Sequence, residues 1–435
     1  MTDHPPKKKP VAPGTADPWE LPQQQELSLY LHIPFCTLKC DYCDFYSLAG
    51  ASSPLIDQTL EGIIADIDAM VPAALGAGAS IPTVYIGGGT PSLLSSKQLG
   101  ALLGAVASQL PGRPLEWSVE ANPETLTREK LALLRDAGVG RISVGVQTLS
   151  SEGLRVLGRA AGERATRDAL DLLGSRWEGR WNADLILGFD GDREERVVRD
   201  LEEMVAAGAR HISVYALTLE EGTPLTAQVA AGKRSLPGED ELLALLDTAG
   251  ELLRSRGLRR YEVSNYATPG EESLHNLRYW RMSPYLGIGP AAASTLPYPR
   301  PLADKAALRL TGATPLTRYL QGGAGRYNRE EIDPREFLQE LLLMGLRTLE
   351  GVTMLPRRLE IPEEAVEHAL APLLEEGIVE PTGASEYPSR AFRVPEDRWA
   401  LLDRHILAVE ARLEPLLKPP PGTPGRGGSG GSTLY

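Results

Sequence analysis

Cys36, Cys40 and Cys43 are the only cysteines in 435 residues, and they fall together in Cys36-Thr-Leu-Lys-Cys40-Asp-Tyr-Cys43. Thiolates at this spacing in a tight loop can each bind a different iron of a [4Fe-4S] cube, a cluster usually held by four cysteines. The fourth iron has no cysteine available, and an open position on a metal is where a substrate or cofactor binds. Structural zinc is a poorer reading, because such sites close with four ligands, often as two Cys/His pairs, and no second pair is present. A disulfide framework is poorer still, since the cysteine number is odd and the chain shows no secretory features.

The rest of the sequence must position that loop. Short β-rich runs at Leu27–His32, Thr83–Ile86, Glu116–Glu120, Arg141–Val146, Ala183–Leu187, His211–Leu217 and Tyr261–Ser264 read as strands. Amphipathic stretches such as Leu55–Met70, Arg128–Ala137, Glu194–Ala207 and Glu241–Arg256 fall between them. Alternation of this kind builds a parallel α/β sheet with covering helices, and the number of units suits a partial or full TIM-type (β/α) barrel. In such barrels chemistry gathers at the C-terminal ends of the strands. Unusual residues are expected there. Gly87-Gly88-Gly89-Thr90-Pro91 follows a strand, and its N–H groups could bind a carboxylate, since no Cβ intervenes. Glu120 ends Trp117-Ser-Val-Glu120, where a carboxylate is costly to bury without a partner. Gln147 closes Arg141-Ile-Ser-Val-Gly-Val-Gln147, and Arg159 and Asp184 follow; taken alone, these last two read better as surface charges or salt-bridge members.

Tyr30-Leu-His-Ile-Pro-Phe-Cys36 before the cysteine loop and Asp44-Phe45-Tyr46-Ser47 after it complete a segment that resembles the cluster loop of the radical S-adenosylmethionine (SAM) superfamily. Within it, the chain is similar to the branch holding oxygen-independent coproporphyrinogen III dehydrogenase and the HemW-type heme chaperones. The resemblance covers residues 27 to 410. It implies that Cys36, Cys40 and Cys43 hold the cluster, and that SAM chelates the free iron and is cleaved to a 5′-deoxyadenosyl radical. It further implies SAM contacts from Gly88, Gly89, Thr90, Glu120, Gln147, Arg159 and Asp184, with Tyr30 and Tyr42 beside SAM or the cluster.

Two features separate the branch's members. The dehydrogenase loop carries a further cysteine two residues after the third, where this chain has Phe45, and it carries an N-terminal extension where this chain has only a polar leader. Leu274-His275-Asn276-Leu-Arg-Tyr279-Trp280 resembles the His-Asn-x-x-Tyr-Trp signature of the heme chaperones. His275 suits an axial iron ligand and Tyr279 and Trp280 a macrocycle surface; a hydrogen-bonded His275 under packed aromatics is the alternative. The resemblance therefore implies a heme chaperone that passes heme to an acceptor protein, respiratory and at the membrane, rather than coproporphyrinogen decarboxylation. A peripheral membrane contact and a homodimer are compatible with it. Two departures stand out: Ala293 replaces a histidine, and Gly188-Phe-Asp-Gly-Asp192 replaces a commoner turn.

Composition sets the remaining bounds. At 42% hydrophobic and 24% charged residues the chain is ordinary globular protein, and a net charge of −13 argues against nucleic acid as the main partner. No run suits a transmembrane helix or signal peptide, and thiols kept for iron call for the cytoplasm. The expected organisation is a disordered leader (1–25), the barrel (26–265), a connecting segment with the heme-type motif (266–330), a small winged-helix-like α+β domain (331–417) and a disordered tail (418–435). In the fourth of these, Phe337–Leu349, Glu363–Glu376 and Asp397–Leu417 read as helices and Arg390–Val394 as a strand.

Overall fold

The computed structural model describes residues 21–302, 304–353, 355–382 and 391–417. The expected tail lies outside these residues, as does most of the expected leader; at the leader's end Gln24–Glu26 pair in parallel with Leu75–Ser80. Six of the seven expected strands form: β1 (Ser28–Ile33), β2 (Thr83–Gly88), β3 (Glu116–Ala121), β4 (Arg141–Gln147), β5 (Arg180–Leu187) and β6 (His211–Ala216). All six are parallel neighbours in chain order.

The seventh, Tyr261–Ser264, is not a strand. There the chain turns between two antiparallel pieces, β7 (Arg259–Arg260) and β8 (Asn265–Ala267), which fold back on β6. The Glu262 carboxylate accepts the Ser264 N–H at 3.1 Å, and Val263 gives its N–H to Arg347 instead of to a neighbouring strand.

On the other side, β9 (Tyr285–Ile288) runs parallel to β1 and leads into the antiparallel strands β10 (Ala293–Leu302), β11 (Lys305–Gly312) and β12 (Tyr327–Ile332). The order β7-β8-β6-β5-β4-β3-β2-β1-β9-β10-β11-β12 makes one sheet of twelve strands, and its edge strands do not pair with each other among the described residues. The barrel is the partial one.

Each parallel strand has two unlike faces. Leu29, Leu31, Ile33, Val84, Ile86, Ile142, Val144 and Val146 are fully buried under the covering helices. The alternate residues, among them Tyr85, Glu120, Ser143, Gln147, Asn182, Asp184 and Ser213, face an internal cavity. A side chain period of two puts the apolar and polar sets on opposite faces. The covering helices include α1 (Ser53–Ala74), α2 (Ser96–Gln109), α3 (Arg128–Ala137), α4 (Glu163–Arg176), α5 (Glu194–Ala206) and α6 (Glu239–Ser255). Local chemistry sets their ends: Ser95 and Gln98 form a capping box on α2, and Gly138 closes α3 at φ 95°. A short helix, α7 (Leu274–Trp280), precedes β9.

Beyond β12 come α8 (Pro334–Gly345), α9 (Glu363–Glu375) and α10 (Leu402–Leu413), with a small antiparallel sheet of Val352–Thr353, Ala391–Arg393 and Glu380–Pro381. The expected final helix starts as a 3-10 turn, Glu396–Leu401. These elements share a second apolar core that also takes in Met282, Ala306 and Ile332. The turn at Tyr261–Val263 docks against them through the Val263 and Leu349 amides, and Arg260 lies 4.6 Å over the Trp399 ring.

One buried carboxylate ties α1 to the antiparallel extension. Asp66 accepts hydrogen bonds from the Tyr319 and Tyr327 hydroxyls (2.5 and 2.8 Å) and pairs with Arg326. Asp66→Ala removes the carboxylate facing that charge and should lose about 3 kcal/mol or more in urea unfolding. Asp66→Asn, which keeps an acceptor, should lose less; equal stability of Asp66→Ala and the native protein would refute the assignment.

Candidate cofactor-binding site

The cysteine loop leaves the C-terminal end of β1 with Cys36 and Cys40 buried and Cys43 half-buried. Its path is fixed from several directions. Gly89 and Thr90 donate their N–H groups to Ile33 and Phe35 at 2.8 and 2.6 Å, and Asp41 joins Leu157 and Leu225 through its backbone. Two glycines are required by closeness. A Cβ on Gly89 would stand 2.4 Å from the Phe35 carbonyl oxygen, and one on Gly158 would stand 2.8 Å from the Asp41 carboxylate. Arg159, next in the chain, places Nη1 3.4 Å from Cys40 Sγ while Nη2 donates to Gly145 O (2.7 Å) and Asn122 Oδ1 (3.1 Å).

This donor set fits an iron–sulfur cube. Three thiolates bring excess negative charge, and a fixed guanidinium stands against one of them. Among the described residues no three His, Cys, Asp or Glu side chains converge as ligands of a single metal ion do. Thiolates that each take a different iron need not converge on one point. Phe45 is 65% exposed beside the loop.

Below the loop lies a cavity of ≈ 400 Å³ inside the partial barrel. Tyr42, Gly88, Gly89, Thr90, Glu120, Gln147, Arg159 and Asp184 all line it together with the three cysteines. Tyr30 does not. Its hydroxyl donates to His32 Nδ1 at 3.0 Å and its ring stacks on Tyr85, so it supports the wall from behind. The other His32 nitrogen, Nε2, donates to the Tyr46 carbonyl at 2.9 Å, and burial pushes the His32 pKa down, keeping the ring neutral. Tyr85 and Asn122, which line the cavity, and His32 behind its wall are residues that the sequence reading passed over. Period-two alternation in Val84-Tyr85-Ile86 was the available signal for Tyr85.

The glycine turn works differently from the expectation. Gly88 N–H donates to Glu120 Oε2 at 3.0 Å, and Gly89 and Thr90 donate to the β1 end, so these N–H groups are not open to a ligand carboxylate. The turn instead lets the His32 ring approach to 2.7 Å of where a Gly88 Cβ would be.

Glu120 and Asp184 face the cavity and keep some exposed surface, yet protein surrounds them. Burial pushes Glu120 up to about 7, opposed by the Tyr85 hydroxyl at 2.8 Å and the Gly88 N–H, with Asp184 adding to the rise. Burial likewise pushes Asp184 up to about 6 against hydrogen bonds from Ser213, Ser143 and Asn182. Gln147 has φ 65°, uncommon for a residue with a side chain, and its buried Oε1 lacks a partner. The cavity thus presents two carboxylates and an orphaned amide oxygen, which suits a ligand with cationic and hydrogen-donating groups.

The heme-type motif sits elsewhere. α7 crosses the sheet at the start of its strands, about 17 Å from the cysteine end for a six-residue strand. His275 is buried, with Nδ1 2.9 Å from Thr83 Oγ1, its N–H donating to Glu116 Oε1 (2.9 Å) and its ring stacked on Tyr85. Burial pushes its pKa down to about 4. The expectation that the unusual residues all gather at the C-terminal strand ends fails here. Asn276 reaches the inner cavity from below, Trp280 is half-buried, and Tyr279 is exposed beside Tyr285.

Two outcomes follow. The native protein without ligand holds a proton on Glu120 that the unfolded chain releases above its ordinary 4.5, so stability falls as pH rises from about 4.5 to about 7. Glu120→Gln should flatten that fall in urea midpoints taken across the window; an unchanged slope would contradict it. Gln147→Gly should gain about 1 kcal/mol by relieving the left-handed strain, and a loss of stability would show that the strain reading is wrong.

The radical SAM superfamily model matches residues 30–221. The chain is 35% identical to the heme chaperone HemW of Lactococcus lactis over 76% of this chain and 83% of that one. The HemW of Escherichia coli is also 35% identical, over 75% and 83%. The mitochondrial radical S-adenosyl methionine domain-containing protein 1 of Bos taurus is 32% identical over 90% and 89%. The fold is shared with the coproporphyrinogen III oxidase HemN of Escherichia coli, at a TM-score of 0.70, 22% identity, and 89% and 91% coverage. The loop of three cysteines over a parallel sheet and the relatives that match three quarters of the chain agree: the chain belongs to the radical SAM superfamily and, within it, to the HemW family.

Proposed function

We propose that this chain is a cytoplasmic heme chaperone that binds a [4Fe-4S] cluster on Cys36, Cys40 and Cys43, SAM in the inner cavity, and heme, which it passes to an acceptor protein. The observation that carries the reading is Phe45: the loop offers three thiolates, and an exposed phenyl ring stands where the dehydrogenase has a further cysteine. Relatives named heme chaperone support the same reading. Among the described residues no helix is long and apolar enough to cross a membrane. A peripheral contact with a membrane-bound acceptor and a homodimer are compatible with the reading.

Held by Cys36, Cys40 and Cys43, a reduced cluster would supply an electron for chemistry at the SAM sulfonium. The chain's own residues do the rest. Arg159 holds a positive charge against Cys40 and locks Asn122 and Gly145 in place. Glu120 and Asp184, once ionised by a cationic ligand, hold its amine and hydroxyl groups, so SAM affinity rises with pH through about 6 to 7. Tyr279 and Trp280 give heme its aromatic surface, and His275, neutral but bonded to Thr83, fixes α7 beneath them. Asn276 joins the motif to the cavity.

Anaerobic reconstitution should give about four irons per chain, and the triple cysteine-to-alanine variant should retain none. The reconstituted protein should bind about one hemin per chain and release no protoporphyrinogen from coproporphyrinogen III with SAM and a reductant. Turnover would establish the dehydrogenase instead. His275→Ala should weaken hemin more than SAM: a shifted heme spectrum marks an iron ligand, and an unshifted one marks a positioning residue. Native hemin affinity in that variant would remove His275 from the heme site.

A further inference from the structure

A second cavity, of ≈ 650 Å³, opens at the opposite end of the sheet, where β3, β4, β5 and β6 begin. Four arginines line it, one from each strand entry: Arg113, Arg141, Arg180 and Arg210. Three glutamates share the lining, but Arg141 pairs with Glu116 at 2.9 Å and Arg180 with Glu271 at 3.4 Å. Glu178 alone is left against the exposed Arg113 and Arg210, for which the described residues provide no ion pair. In a chain of net charge −13 this is a local reversal of sign.

A second observation is independent of that count. Arg141 is 1% exposed and separates the two cavities, lining both. Its Nε donates to Glu116, its Nη2 to the Glu271 and Glu272 carbonyls, and its Nη1 has no partner. A buried guanidinium donor left unbonded is costly, and an anionic oxygen is its natural complement. At the rim Leu115 is 77% exposed, an apolar ledge beside the charges. Glu116 connects this cavity to the heme-type helix, accepting the N–H groups of Leu274 and His275 at 3.1 and 2.9 Å.

We infer that this cavity takes the propionate carboxylates of heme. Arg113 and Arg210 meet them at the rim, Arg141 stands at the back with its Nη1 unpartnered, and an edge of the ring rests on Leu115. The inference rests on the heme reading above and names the charged half of that site. Phosphate oxygens accept from the same guanidinium donors, so the test separates the two anions.

The full chain, reconstituted with its cluster, is titrated with hemin, with hemin dimethyl ester, and with inorganic phosphate as competitor. The native protein should bind hemin roughly tenfold or more tightly than the ester. Arg113→Ala with Arg210→Ala, both at the surface, should lose that preference while keeping ester affinity, iron content and SAM affinity. Restoring charge with Arg113→Lys and Arg210→Lys should recover part of it. Equal native affinity for hemin and ester overturns the inference and leaves the heme reading standing. So does native hemin affinity in the double alanine variant, even if phosphate competes. No hemin binding by the native protein overturns both.

Discussion

Glu120 is the constraint on which the cysteine-loop end of the molecule is built. A carboxylate enclosed by protein must be bonded or neutralised, and here the Tyr85 hydroxyl and the Gly88 N–H do the bonding. The Gly88 contact holds the glycine turn against β3. The turn's next two amides then reach the end of β1 and set where the cysteine loop begins. Two residues after Glu120, Asn122 takes hold of Thr90 and Arg159 at once, and Arg159 stands at Cys40. The cysteine loop is thus positioned from the end of β3 as much as by its own sequence.

The beginning of the same strand carries a second carboxylate with a different task. Glu116 and Arg141 form an ion pair with both side chains almost fully buried, at 3% and 1% exposure. Glu116 also accepts from Ser273 Oγ and from the first two amides of α7. A carboxylate at a helix N-terminus meets unpaired N–H groups and the positive end of the helix dipole. The helix is only seven residues long, too short to hold itself together in isolation. Its place under the sheet is fixed from outside, by Glu116 at its start and by Arg278, which bonds Ser28 and Glu26 toward its end.

Most of the parallel sheet was legible because its strands keep strict alternation between an apolar outer set and a polar inner set. Ile142, Val144 and Val146 against Ser143, Gly145 and Gln147 is the plainest case. Tyr261–Ser264 misled because aromatic and β-branched residues fit a tight docking turn as well as a strand, and the Glu262 contact that closes the turn is invisible to propensity. The location of His275 was misjudged for a topological reason. A segment that directly precedes a parallel strand must enter the sheet at its N-terminal end. Tyr285–Ile288 is such a strand, parallel to β1. The motif therefore belonged below the sheet once that run was recognised as a strand rather than only as part of a signature.

The same alternation explains why one sheet serves two ends. Its inner face cannot be packed with leucines and still present Glu120, Ser143, Asn182 and Asp184, so the interior stays open as a polar cavity instead of the closed side-chain core of a full barrel. That openness is destabilising, since polar groups there give up water and dispersion contacts together. The compensation lies outside the cavity, in the apolar layer between strands and helices and in the antiparallel extension clamped by Asp66. Arg141 then becomes the floor. It is the residue common to the inner cavity and the arginine-lined one, anchored on Glu116 and on the carbonyls that lead into α7. Any change that tilts Arg141 is felt by the cavity above, the cavity below and the helix beside it, because all three share that one guanidinium.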